Sequence, residues 1–193
     1  FNMSHDIRTP MNAILGYTEL AKKNTKSSDL LNKYLENIQI CGKNMLSIID
    51  NVLELSRIEN GNTVIEETVI TAGSVFDTCI VMVKEEMDRK KQSLTVSKQI
   101  LYPYVYLDVS RILEIVLNLV SNAIKYTGEE GVIHCSIRQL SEKRDGWCIL
   151  EISVADNGIG MSEEYQSKIF ESFSRERSST VSGIQGSGLG MGI

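Results

Sequence analysis

Residues 29–57 read DLLNKYLENIQICGKNMLSIIDNVLELSR, and within them Tyr34, Ile38, Cys41, Met45, Ile48, Val52 and Leu55 recur at alternating steps of four and three. Steps that average 3.5 residues keep one seam of an α-helix turned toward a neighbouring helix. Leu31, Leu35, Ile49 and Leu53 widen the stripe beyond a two-stranded seam, so more than one partner surface is needed and a four-helix packing fits. Upstream, Ile7, Met11, Ile14, Tyr17 and Ala21 mark a second helix, joined to the first by the polar stretch Lys22 to Ser28, with Asp29 as the expected N-cap. The opening segment therefore reads as a helical hairpin whose apolar face one hairpin cannot cover. Two copies related by a twofold axis would cover it, which predicts a homodimer with a four-helix bundle.

The pattern changes after Arg57. Glu59 to Thr63 breaks the helix, and a second domain is expected from residue 62, giving domains of 1–58 and 62–193. Val64 to Ile70 reads as a strand, Ser74 to Lys91 as a helix, Leu94 to Ile100 and Tyr104 to Leu107 as short strands, and Ser110 to Tyr126 as a helix. Alternation returns in Ile133, Cys135 and Ile137, then in Cys148, Leu150, Ile152 and Val154, so this half is a two-layer α+β domain. From Gly158 to Gly192 the chain turns polar and glycine-rich, with Arg175, Arg177 and five serines from Ser174 to Ser187, and reads as a mobile loop over a site.

Composition narrows the function. At 193 residues and 42% hydrophobic the chain can bury a core, and a net charge of −5 offers no basic field for a nucleic-acid backbone. Cys41, Cys79, Cys135 and Cys148 lie far apart without metal-ligand spacing, and are expected to be reduced, buried thiols of a cytoplasmic protein. No apolar run approaches membrane-spanning length, so any membrane attachment is expected through other parts of a parent protein. The start at Phe1 and the end at Ile193, inside a glycine-rich stretch, are those expected of a fragment.

Two glycine clusters carry chemistry. Asp156-Asn157-Gly158-Ile159-Gly160 follows a strand, and Gly186-Ser187-Gly188-Leu189-Gly190 lies near the end. Glycines let backbone N–H groups approach an anion, yet neither cluster is a Walker loop, and the first lacks dinucleotide-site spacing. A different nucleotide fold is implied. Asn118, Asn122 and Lys125 share one helix face; an amide oxygen can ligate magnesium and a lysine can neutralise phosphate. Taken alone, such a face is more often simply solvated. Near the start, Ser4-His5-Asp6-Ile7-Arg8-Thr9-Pro10 sets an imidazole beside a carboxylate, a pairing that suits a nucleophile, and Pro10 is expected to kink the helix there. His134, on a strand without such company, reads as structural.

Together these motifs resemble the sensor histidine kinases of two-component systems. Ser4 to Pro10 is similar to the H-box, Asn118 to Tyr126 to the N-box, and Asp156 to Gly160 to the first glycine box. Lys168 to Phe173 is similar to the F-box, and Gly186 to Gly190 to the second glycine box. The resemblance implies a dimerising phosphotransfer hairpin followed by an ATP-binding α+β sandwich of the Bergerat (GHKL) type. It implies His5 as phosphoryl acceptor, with Asp6, where many members have glutamate, as its acid or base partner. Asn122 is implied as the magnesium ligand, Lys125 and Arg175 as phosphate contacts, Tyr126 as an adenine neighbour and Asp156 as acceptor for the adenine amino group. Asn118, Gly158, Gly160, Phe170, Phe173, Gly186, Ser187, Gly188, Leu189 and Gly190 complete the implied nucleotide site and its lid. ATP and Mg2+ are the implied cofactors and a response-regulator receiver domain the implied partner. Thr9 matches the position that orients water when such kinases also dephosphorylate that partner. The run from Ser4 to Asn12 looks most like hybrid members with receiver domains of their own.

The family normally continues past the second glycine box with a helix and two strands, so the sandwich is expected to be incomplete at its C-terminus. Two alternatives remain: an ATP hydrolase on the same sandwich, or a non-catalytic dimerisation module. Position 118 separates the first, because Asn118 cannot act as the general base that the hydrolases' glutamate supplies. Intact motifs speak against the second.

Overall fold

The computed structural model describes residues 3–24, 27–141, 146–171, 174 and 190–192. They divide into two compact units, one built on residues 1–63 and the other on residues 64–166.

The first unit is a hairpin of α1 (Met3–Lys23) and α2 (Ser28–Glu59). The seam residues Tyr34, Ile38, Cys41, Met45, Ile48, Val52 and Leu55 are all half-buried, and the Tyr17 and Tyr34 rings meet at 6.2 Å between centroids. No residue of α2 is fully buried. Leu35 and Leu53 remain 52% and 53% exposed, as is Met11 on α1, expected in the covered stripe but 44% exposed. The N-cap of α2 is Ser27 rather than Asp29: the Ser27 hydroxyl accepts from the Leu30 N–H, and Asp29 lies in the first turn, where its charge favours the helix dipole. Pro10 lies inside α1, which continues through it as one helix.

The second unit contains β1 (Thr68–Thr71), α3 (Ser74–Arg89), β2 (Ser93–Gln99), β3 (Tyr104–Leu107), α4 (Val109–Tyr126), β4 (Val132–Ser141), β5 (Cys148–Asp156) and the short α5 (Glu163–Gln166). The first strand starts four residues later than its apolar run suggests, because Val64 and Ile65 are exposed at 73% and 58% and pair with nothing in the ladder. β1 and β3 form an antiparallel pair, while β4 pairs parallel with β2 and antiparallel with β5. The α3 face of Val75, Phe76, Cys79, Val83 and Met87 meets Val116, Val120, Ala123 and Ile124 of α4 over Ile133, Cys135 and Ile137 of β4. That is a helix layer on a sheet, with one contiguous core. α5 interrupts the segment read as a loop, most of whose remainder lies outside the described residues.

All four cysteines are free; Cys79 and Cys135 are buried as expected, but Cys41 and Cys148 are only half-buried, since each sits on an element with an uncovered side. Burial, with Cys79 nearby, pushes the Cys135 thiol up to about 11, which keeps it protonated and inert. Among the described residues no helix is long and apolar enough to cross a membrane.

Candidate functional site

His5 sits in the first turn of α1 with its side chain 75% exposed, beside an Asp6 side chain only 16% exposed. His5 Nδ1 stands 3.5 Å from Asp6 Oδ1, so Nε2 is the ring nitrogen left to solvent. The Thr9 hydroxyl donates to the His5 carbonyl at 3.0 Å, which ties Thr9 to the backbone of the residue it follows by one turn.

The other group of site residues gathers at the end of α4. This helix is fixed at its start by Asp108, whose Oδ1 accepts from Ser110 N (3.0 Å), Ser110 Oγ (2.5 Å) and Arg111 N (3.1 Å). Its Oδ2 accepts from Glu66 N at 2.9 Å. The Ser110 hydroxyl first, then the N–H groups of Glu66 and Arg111, hold the Asp108 carboxyl at about 2 against the opposing cost of burial. Four and seven residues beyond Asn118 on the same face come Asn122 and Lys125. The side-chain amides of Asn118 and Asn122 are half-buried and hydrogen-bond to nothing among the described residues. The Lys125 ammonium lies 4.8 Å from the centre of the Tyr126 ring.

The turn after β5 docks on the end of this helix. Asp156 Oδ1 accepts from Gly158 N at 2.9 Å, and Ile159 N donates to the Tyr126 carbonyl at 3.2 Å. A Cβ at Gly158 would lie 2.5 Å from that carbonyl oxygen, so only glycine permits the approach, and Gly160 takes φ +68°. Asp156 is exposed, and its Oδ2 meets no donor among the described residues. Tyr126, Gly158 and the turn that carries Asp156 are thus brought together, with Asn118, Asn122 and Lys125 on the helix that ends at Tyr126. Phe170 is exposed and Gly190 lies in a short turn, and both group outside the 64–166 unit. Phe173, Arg175, Gly186, Ser187, Gly188 and Leu189 lie outside the described residues. His134 stays structural: Nδ1 is 2.7 Å from Thr95 Oγ1 and Nε2 3.4 Å from Ser97 Oγ, across the β2–β4 ladder.

The helix offers amide oxygens and an ammonium, and the glycine turn docked on its end offers a free carboxylate oxygen. Such a set suits a ligand that carries both phosphates and an amino group. A magnesium ion that keeps most of its ligands as phosphate oxygens and waters needs only one or two protein oxygens, and Asn122 is available for that.

Residues 2–61 match the His Kinase A (phospho-acceptor) domain, and residues 107–193 match the histidine kinase-, DNA gyrase B- and HSP90-like ATPases. The chain belongs to the histidine kinases. This kinase chain is 34% identical over 194 residues to histidine protein kinase 1 of Candida albicans, covering 100% of the chain and 8% of that protein. It is 33% identical over 192 residues to the autoinducer 2 sensor kinase/phosphatase LuxQ of Vibrio vulnificus, covering 99% of the chain and 22% of that protein. The chain therefore spans under a quarter of the length of these relatives. Its fold is similar to that of histidine kinase ThkA in complex with the response regulator protein TrrA, with a TM-score of 0.67 and 26% identity over 89% of this chain and 48% of ThkA.

Asp108, which fixes the start of α4, and Lys90 and Gln92, which bond to its end, are residues that the sequence reading passed over. An acid just ahead of an apolar helical period is an N-cap signal, which would have found Asp108. Lys90 and Gln92 act on carbonyls more than thirty positions away, and no local pattern marks them.

Proposed function

We propose that this chain binds ATP with magnesium, autophosphorylates His5 and passes the phosphoryl group to an aspartate of a response-regulator receiver domain. The observation that carries the reading is the exposed His5 ring with Nδ1 turned to Asp6 and Nε2 outward. The Nε2 lone pair attacks the γ-phosphorus, the bond from that phosphorus to the β–γ bridging oxygen breaks, and ADP leaves. Asp6 takes up the positive charge that develops on the ring, or its Nδ1 proton. Asn122 would hold the magnesium, which neutralises charge on the phosphates. Lys125 and Arg175 would contact phosphate, Tyr126 would lie by the adenine, and the free oxygen of Asp156 would accept from its amino group. Asn118 supplies no general base, so water is not activated and ATP persists until His5 arrives.

In this reading residues 1–58 form the dimerisation and phosphotransfer domain and residues 62–193 the ATP-binding domain. The uncovered Leu35, Ile49 and Leu53 of α2 support a homodimer. ThkA's complex with a response regulator supports a receiver-domain partner. The kinase/phosphatase name of LuxQ, together with Thr9 one turn beyond His5, supports a second, phosphatase activity on that partner.

The test incubates the full-length parent protein with γ-labelled ATP. Acid-labile label on the wild type and none on His5→Gln is the expected result. Equal labelling of both removes His5 from the role, and steady phosphate release without labelled protein favours a hydrolase.

A further inference from the structure

We propose that Lys90 and Gln92 are positioning residues for nucleotide binding, holding the last turn of α4 in register with the glycine turn after β5. The inference rests on the nucleotide-binding reading above. An α-helix ends with carbonyls that lack intrahelical donors. In α4 the Ile124 carbonyl accepts from Lys90 Nζ at 2.7 Å and from Gln92 Nε2 at 3.0 Å, and Lys125 O lies 3.3 Å from Lys90 Nζ. Beyond the helix, Gln92 Nε2 reaches the carbonyls of Thr127 and Gly128 at 2.8 and 3.0 Å. A lysine ammonium at this end also complements the helix dipole.

Three further observations mark the clamp as more than filling. Gln92 is 8% exposed, and its Oε1 has no hydrogen-bond partner among the described residues. A buried unpaired oxygen is a costly way to fill space, so what this side chain supplies is its donor end. Between the two residues Lys91 takes φ 54°, a left-handed conformation that a lysine adopts at some strain. The turn is then locked by Glu130 N donating to Lys90 O and Ser93 N donating to Gly131 O. The one remaining carbonyl of that helix end, Tyr126 O, is taken from the opposite side by Ile159 N and abuts Gly158. Lys90 and Gln92 therefore hold the same helix end that carries Lys125 and Tyr126 and on which the Asp156–Gly160 turn docks.

The test measures ATP affinity by calorimetry with magnesium present, on the full-length protein and below each variant's melting temperature. Lys90→Met and Gln92→Leu are expected to raise Kd and the KM for ATP about tenfold, with labelling of His5 at saturating ATP unchanged. Lys90→Arg restores affinity. The control is Gln139→Leu, which removes another buried amide of the same unit, one that clamps Leu101 and Tyr102 and makes no hydrogen bond to α4 among the described residues. It should lower the melting temperature and leave Kd alone. Unchanged Kd in both clamp variants, or an equal loss in Gln139→Leu, overturns the proposal. Should Gln92→Leu fail to fold, Lys90→Met, at a half-exposed side chain, decides it. A wild type that binds no ATP overturns the nucleotide-binding reading itself, and this inference with it.

Discussion

The two units solve the same problem in opposite ways. In the sandwich, two helices and a sheet enclose Phe76, Ile124, Ile133, Val116 and Val120 so fully that each is under 2% exposed. In the hairpin, every seam residue of α2 stops at half-buried, and a row of leucines faces outward. The sandwich encloses a core of its own, whereas the hairpin has the sequence of a core and the surface of half of one. Two parallel cylinders touch along a line, so a further packing surface is needed to enclose a stripe this wide.

The largest test of that contrast is Phe76→Ala. Truncating so enclosed a ring should cost the sandwich about 3–5 kcal/mol, read by urea unfolding, while the helical signal of residues 3–59 survives. Concerted loss of both signals would break the comparison. Next in size, Leu35→Lys with Leu53→Lys should leave a folded sandwich but weaken self-association by tenfold or more, ~1.4 kcal/mol, read by sedimentation. A variant that sediments like the wild type would show that these leucines face something other than a second copy. The smallest concerns acid. Asp108 titrates at about 2 when folded and near 3.8 otherwise, so the unfolded chain takes the proton first. Its contribution is complete above about pH 4 and is lost as pH falls toward 2. Asp108→Asn should melt a few degrees lower at neutral pH, with the difference vanishing by about pH 2. The hairpin should show no matching change.

Elements with a period were legible before any coordinates. The seam of α2, the α4 helix and the alternation of β4 and β5 depend on residues that repeat within a few positions, and these stand within a residue or two of their expected places, except that β4 runs four residues past Ile137 to Ser141. Exposed apolar residues misled: Val64 and Ile65 look like strand and lie outside it, because an apolar side chain on an edge carries no label of where it points. The cap of α2 fell on Ser27 instead of Asp29, since both residue types cap and only the backbone path chooses. At the site, Asp156, Gly158, Asn122 and Tyr126 were legible as residue types in order. That the Tyr126 carbonyl is the meeting point of helix and turn was not, for a backbone atom carries no sequence signal.

The parallel pairing of β2 with β4 has a kinetic meaning. It joins Ser93 to Val132 and Gln99 to Arg138, so a long loop containing β3 and all of α4 must close before the ladder forms. The hairpin needs only a short turn, but in the proposed homodimer its stripe is covered only after a second chain arrives. On that proposal one half of the molecule folds at a rate set by its own topology, and the other at a rate set by concentration. At the low copy numbers of a newly made protein the ATP-binding half should be native while the acceptor half is still waiting for company.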